Sequence, residues 1–205
     1  DRNSEIFLFD GSRPQQLTDT KPADVTSRLS DGNFQPSVTA DGRTIAFSSN
    51  RNLSGLNPDF SYEIYLYDTL DQRYTQLTNN ISASSPKISA DGARIYYKTA
   101  TSDLVLIETQ TATTRVLAAG VPELSMTEGR AISNDGMRLV YSASTAPNQT
   151  QVFLYEGRDN SIRQLTQLGS RSVDVKLQPT ISSDGRRVAF ATRRRVTNAS
   201  DGGVE

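Results

Sequence analysis

The sequence predicts an all-β fold, a β-propeller built of four-stranded antiparallel blades. Three observations predict it: a short phrase that returns four times, strands that are apolar on both faces, and half-units at the two ends that complete one another. The phrase is a small polar pair, Asp-Gly, one or two polar residues, then β-branched and aromatic residues. It reads Ala40-Asp41-Gly42-Arg43-Thr44-Ile45-Ala46-Phe47, then Ala90-Asp91-Gly92-Ala93-Arg94-Ile95-Tyr96-Tyr97. It returns as Asn134-Asp135-Gly136-Met137-Arg138-Leu139-Val140-Tyr141 and as Ser183-Asp184-Gly185-Arg186-Arg187-Val188-Ala189-Phe190. The four aspartates stand 50, 44 and 49 residues apart. A period in this range, with a turn in each copy, marks a propeller or an array.

The fullest unit justifies each element in order. Residues 34–39 make a short first strand, Asp41-Gly42 the turn, and residues 44–49 the second strand. Asp-Gly between alternating residues predicts a two-residue hairpin in which both turn positions take φ > 0. A polar stretch, residues 50–61, leads to a third strand, Tyr62-Glu63-Ile64-Tyr65-Leu66-Tyr67. Residues 68–71 turn the chain into a fourth strand, Arg73-Tyr74-Thr75-Gln76-Leu77-Thr78. The third strand is apolar on both alternating faces, whereas a sheet with one wet face alternates apolar and polar. Burial on both faces is what stacking between neighbouring blades requires. The same strand recurs as Ile6-Phe7-Leu8-Phe9, Leu104-Val105-Leu106-Ile107 and Val152-Phe153-Leu154-Tyr155.

Complete units run over 34–79, 82–118 and 126–167, so residues 1–205 read as one repetitive domain of about four blades. The piece at 174–196 supplies strands one and two, and the piece at 4–18 supplies strands three and four. Either one blade is shared between the termini, closing a ring of four, or the chain is a stretch of a larger ring.

Composition narrows function more by exclusion than by indication. The chain has no His and no Cys. Without His, a Ser or Cys nucleophile lacks its usual general base, and transition metals lose their commonest ligand. A net charge of −1 offers no basic field for nucleic acid, and no nucleic-acid partner is expected. The one dense basic cluster, Arg193-Arg194-Arg195 with Arg186, Arg187 and Arg171, carries no interleaved aromatics and reads as a solvated strand end. No apolar run approaches the length of a membrane span, so no membrane insertion is expected. The chain starts at Asp1 inside a repeat, so any export signal is expected to have been removed or left out.

The stretch Phe34-Gln35-Pro36-Ser37-Val38-Thr39-Ala40-Asp41-Gly42-Arg43-Thr44-Ile45-Ala46-Phe47-Ser48-Ser49-Asn50-Arg51 resembles the TolB-type, WD40-like propeller repeat. Glu63-Ile64-Tyr65-Leu66-Tyr67-Asp68 and Gln76-Leu77-Thr78 continue the pattern. The likeness is also strong over residues 178–190 and fades in the unit at 82–118, where Lys98-Thr99-Ala100 replaces Ser-Asn-Arg. The resemblance implies a non-catalytic scaffold for a protein or peptide partner in the bacterial periplasm or outside the cell, with membrane-associated envelope proteins among the partners. Similar blades also gate prolyl-oligopeptidase-like enzymes, so the alternative is a substrate-gating or substrate-binding segment of a larger peptidase or carbohydrate-active enzyme.

Candidate residues follow from the same reading. The Asp-Gly aspartates Asp41, Asp91, Asp135 and Asp184 are expected to bond their own turn backbone. No catalytic residue and no cofactor are expected. A bound Ca²⁺ would draw on acids beside short loops (Asp31, Asp59, Asp174, Asp201), none of which lies in an EF-hand pattern. The Asp-Gly turns share one face with the turns at 68–71, which leaves the long connections on the other, where a partner is expected to dock. Asp31, Arg51, Phe60 and Asp174 are its rim candidates. Arg130 and Gln178, with Gln35 and Ser85, are expected near the mouth of the channel that the first strands line.

Overall fold

A computed structural model describes residues 3–21, 32–169 and 177–192. Among them the protein is all β, with antiparallel sheets and no helix. A hairpin of β1 (Phe7–Phe9) and β2 (Pro14–Gln16) comes first. A four-stranded sheet follows, β3 (Asn33–Val38), β4 (Thr44–Ser49), β5 (Glu63–Asp68) and β6 (Arg73–Gln76), paired in chain order. A second has the same order: β7 (Ser84–Ile88), β8 (Arg94–Lys98), β9 (Leu104–Glu108) and β10 (Thr113–Ala118). The third is β11 (Arg138–Ala146), β12 (Gln149–Glu156) and β13 (Ser161–Gln164), and a hairpin of β14 (Thr180–Ile181) and β15 (Val188–Ala189) ends the described chain.

Period-two alternation sorts the apolar residues into four layers between successive sheets. Ile45, Phe47, Tyr65 and Tyr67 face the first hairpin with Ile6 and Leu17. Ala46 and Ile64, one residue out of phase, pack against Ile95, Tyr97, Val105 and Ile107 of the second sheet. The opposite face of that sheet, Tyr96, Leu104 and Leu106, meets Leu139, Tyr141 and Tyr155 of the third. Val140, Val152 and Leu154 then meet Leu177 and Ile181 of the last hairpin. Each central strand is buried on both faces because each sheet is sandwiched, and every large side chain so buried contributes about 1.5–3 kcal/mol.

The third unit departs from expectation. Its first strand survives only as isolated bridges, Ser125 to Ser142 and Ile132 to Leu139. Between them one side spans seven residues and the other three, so four residues bulge out. In the first and second sheets the corresponding register shift adds one residue, between Phe34 and Ser37 and between Ser84 and Lys87. There the extra residue takes positive φ, 57° at Gln35 and 58° at Ser85.

A blade shared between the termini requires β1 to pair with β15. Among the described residues the two lie in separate two-stranded sheets, and Phe7 and Phe9 of β1 are exposed.

Candidate functional site

The Asp-Gly phrase folds the same way four times. The hydroxyl two residues before each aspartate, on Thr39, Ser89, Ser133 and Ser182, donates to the carboxylate at 2.6, 2.6, 2.6 and 2.5 Å. The same carboxylate accepts the amide of the residue after the glycine, on Arg43, Ala93, Met137 and Arg186, at 3.0 Å each. The hydroxyl in turn accepts the amide that opens the second strand, on Thr44, Arg94, Arg138 and Arg187. Each glycine amide bonds back three residues, which makes a β-turn inside a four-residue loop.

The expected two-residue hairpin is therefore corrected. Of Asp and Gly only the glycine takes positive φ, from 64° at Gly136 to 75° at Gly92. The hydroxyl and amide bonds account for the aspartate acidities. Asp41, Asp91 and Asp184 are held below the ordinary value first by their hydroxyl partners and then by the amides. Burial pushes Asp135 up, but its hydroxyl and amide partners outweigh that and leave it lowered.

These turns also join the sheets. Ala40 donates its amide to the carbonyl of Ala90 at 3.0 Å, Ala90 to Asn134 at 3.0 Å, and Asn134 to Ser183 at 2.8 Å. On the outer side the turns meet the β5–β6 connection and its equivalents, as expected: Thr69 bonds the carbonyl of Arg43, Thr109 that of Ala93 and Gly157 that of Met137. Ion pairs Arg43–Asp68 and Arg94–Glu108, at 3.1 and 3.2 Å, span the same gap.

Along the inner edge lies a groove of about 290 Å³ lined by Ser37, Lys87, Glu128, Arg130 and Asn134. It lies where the third unit bulges between its two bridges, at Ser125 and Ile132. Lys87 is only 4% exposed. Burial pushes its ammonium below the usual lysine range, and the charge of Glu128 opposes that shift. The Arg130 guanidinium donates to Asn134 Oδ1 at 2.7 Å, while its carbonyl accepts the Ile181 amide and the Thr180 hydroxyl.

The structure places the sequence candidates unevenly. Arg130 lines the groove. Gln178 is exposed, with φ of 40°, and is not among the residues that line the groove. Phe60 is 48% exposed on the loop between β4 and β5, with φ of 56°. Arg51 lies inside that loop, 4% exposed, its guanidinium donating to the carbonyl of Lys21 at 3.2 Å. Asp31 and Asp174 lie outside the described residues, as does Asp201, while Asp59 accepts bonds from Ser61. No cluster of three or more acids, His or Cys that could hold a metal occurs among the described residues. Lys87 and Glu128 went unread in the sequence. The available signal for Lys87 was its place: it occupies the position of Ser37, Ala131 and Thr180, so a charge sits where the other units keep a small uncharged side chain.

No family model matches the chain, and no curated protein matches it. Solved structures do. TolB from Acinetobacter baumannii aligns at 20% identity and TM-score 0.61, over 90% of this chain and 41% of that one. A TolB assignment from Agrobacterium tumefaciens, described as putative, aligns at 16% identity and TM-score 0.59, over 79% of this chain and 56% of that one. Porphyromonas gingivalis dipeptidyl peptidase 4 aligns at 13% identity and TM-score 0.51, over 86% of this chain and 31% of that one. The fold is TolB-like, and the chain spans about half or less of the length of these proteins.

Proposed function

We propose that this chain is a non-catalytic β-propeller scaffold that binds a protein or peptide partner in the bacterial periplasm or outside the cell. The sheets and terminal hairpins are then blades of one propeller. The observation that carries the reading is the commitment of the recurrent acids. All four Asp-Gly carboxylates accept, through Oδ1, a hydroxyl and an amide of their own turn, which gives each a structural role that accounts for its recurrence. The absence of His and Cys removes the other usual actors. What the scaffold offers instead is surface: a groove at its inner edge and an ordered loop that holds Leu56 and Phe60 out to solvent. The envelope location follows the TolB resemblance.

A second reading, a substrate-gating or substrate-binding segment of a larger enzyme, draws on the fold likeness to dipeptidyl peptidase 4. Immobilised chain exposed to periplasmic extract and to a mixed short-peptide library separates the two. Retention of a folded protein from the extract supports the scaffold. Retention of peptides alone supports the enzyme segment, and hydrolysis of any peptide by the pure chain overturns the non-catalytic reading.

A further inference from the structure

We propose that the inner groove binds a single carboxylate, presented on an extended peptide of the partner, with Lys87 Nζ as its central donor. The proposal rests on the scaffold reading and names the chemistry that the scaffold recognises. An ammonium has three hydrogens to donate and no capacity to accept. That of Lys87 has neither a hydrogen bond nor an ion pair within reach among the described residues, although the residue is only 4% exposed. The carbon stem is what is buried: the nitrogen itself is not among the solvent-excluded atoms that lack a partner, so its charge stays open to an anion entering the groove.

Stacking does not require this charge. The equivalent residues are Ser37, whose Oγ accepts the Ile88 amide at 3.1 Å, Ala131, and Thr180, whose hydroxyl bonds Arg130. Lysine stands at the one unit whose neighbour bulges by four residues, where the groove lies. The rest of the lining sets the charge of the ligand. Arg130 sits at the edge with one nitrogen held by Asn134, and Glu128 adds a negative charge. One cation beside one carboxylate suits a singly charged anion, whereas a doubly charged phosphate meets Glu128 as a like charge.

Reductive ¹³C-dimethylation of the four lysines keeps their charge and gives each an NMR signal. Loss of one signal in Lys87→Met assigns it. Acetyl-Ala-Glu-Ala-amide, its Gln twin and sodium acetate are then titrated into the folded chain. The Glu peptide is expected to shift the Lys87 signal saturably and raise its titration midpoint, and the Gln twin to leave both unmoved. Lys87→Met is expected to weaken binding at least about tenfold and Glu128→Gln to strengthen it.

Equal shifts from the Glu and Gln peptides, an unmoved Lys87 signal, or unchanged affinity in Glu128→Gln overturns the carboxylate site. Acetate acting as strongly as the peptide overturns the peptide as its carrier. If protein capture persists while the peptide titration is flat, the site falls and the scaffold stands. If the Glu peptide binds but no protein is captured, the site stands and the scaffold falls.

Discussion

The hydroxyl of Ser89 donates to Asp91 at 2.6 Å and, from the same oxygen, accepts the amide of Arg94 at 3.0 Å. Ser89 is fully buried. One oxygen thus ties the carboxylate that closes the turn to the strand that leaves it. The same tie holds Asp41, Asp91 and Asp184 below the ordinary value of 3.8. A carboxylate whose folded acidity is lowered stabilises the fold above its unfolded value and loses that contribution as pH falls through the folded one. Stability is therefore expected to be flat on the neutral side and to drop progressively below 3.8, with Asp91→Asn showing a shallower drop. Urea unfolding followed by circular dichroism across pH checks this, and identical profiles for the two proteins count against it.

The turn glycines differ in what surrounds them. Gly42 has φ of +71° and open space where a Cβ would stand. Gly136 has φ of +64°, and a Cβ there would meet Ser89 Cβ at 2.9 Å and Arg94 Cβ at 3.0 Å. Gly42→Ala is expected to cost about 1–2 kcal/mol, from the left-handed backbone alone. Gly136→Ala adds overpacking against a neighbouring sheet, for roughly 2–5 kcal/mol in all. Equal losses in chemical denaturation would show that the sheets are not pressed together at their turns.

Ala90→Pro isolates the bond between the second and third sheets. Position two of such a turn accepts proline, whose fixed φ suits it, so the hairpin survives while the amide donor to Asn134 disappears. The expected loss is about 1–3 kcal/mol, read as a lower urea midpoint with an unchanged slope. No change in the midpoint would mean that this bond does not hold the sheets.

Phe60 is 48% exposed and holds φ of 56°, a conformation that asparagine tolerates better than phenylalanine. Phe60→Asn is expected to leave thermal stability unchanged or slightly raised and to weaken partner capture by the immobilised chain. A fall in melting temperature with capture intact would make Phe60 a residue of the fold instead of the binding surface.

The strands were legible because their burial is two-sided. Residues 44–49 were read at their observed bounds, and the alternation of Ile64 and Leu66 with Tyr65 and Tyr67 maps onto two different neighbouring layers. The turn geometry was not legible from Asp-Gly alone, since the hydroxyl two residues earlier decides it. Arg51 was read as a rim residue because its loop is one of the long connections, and that loop is polar. Polarity there serves the loop itself: Asn57 is fully buried, its amide donating to the carbonyl of Ser61 at 2.9 Å. The groove was hidden because residues 126–131 read as one more first strand. A bulge of four residues leaves no mark in alternation, and a lone lysine in a strand reads as a solvent-facing position.

The amide relay from Ala40 through Ala90 and Asn134 to Ser183 uses main-chain atoms only. Alanine, asparagine and serine serve it equally, so this bond between neighbouring units imposes no demand on the side chain that carries it. A unit can then exchange its residues, or give up part of a strand as the third does, and still dock in register with the next. Architecture of this kind separates assembly from recognition: the couplings are generic, and each unit is free to diverge into a distinct binding surface.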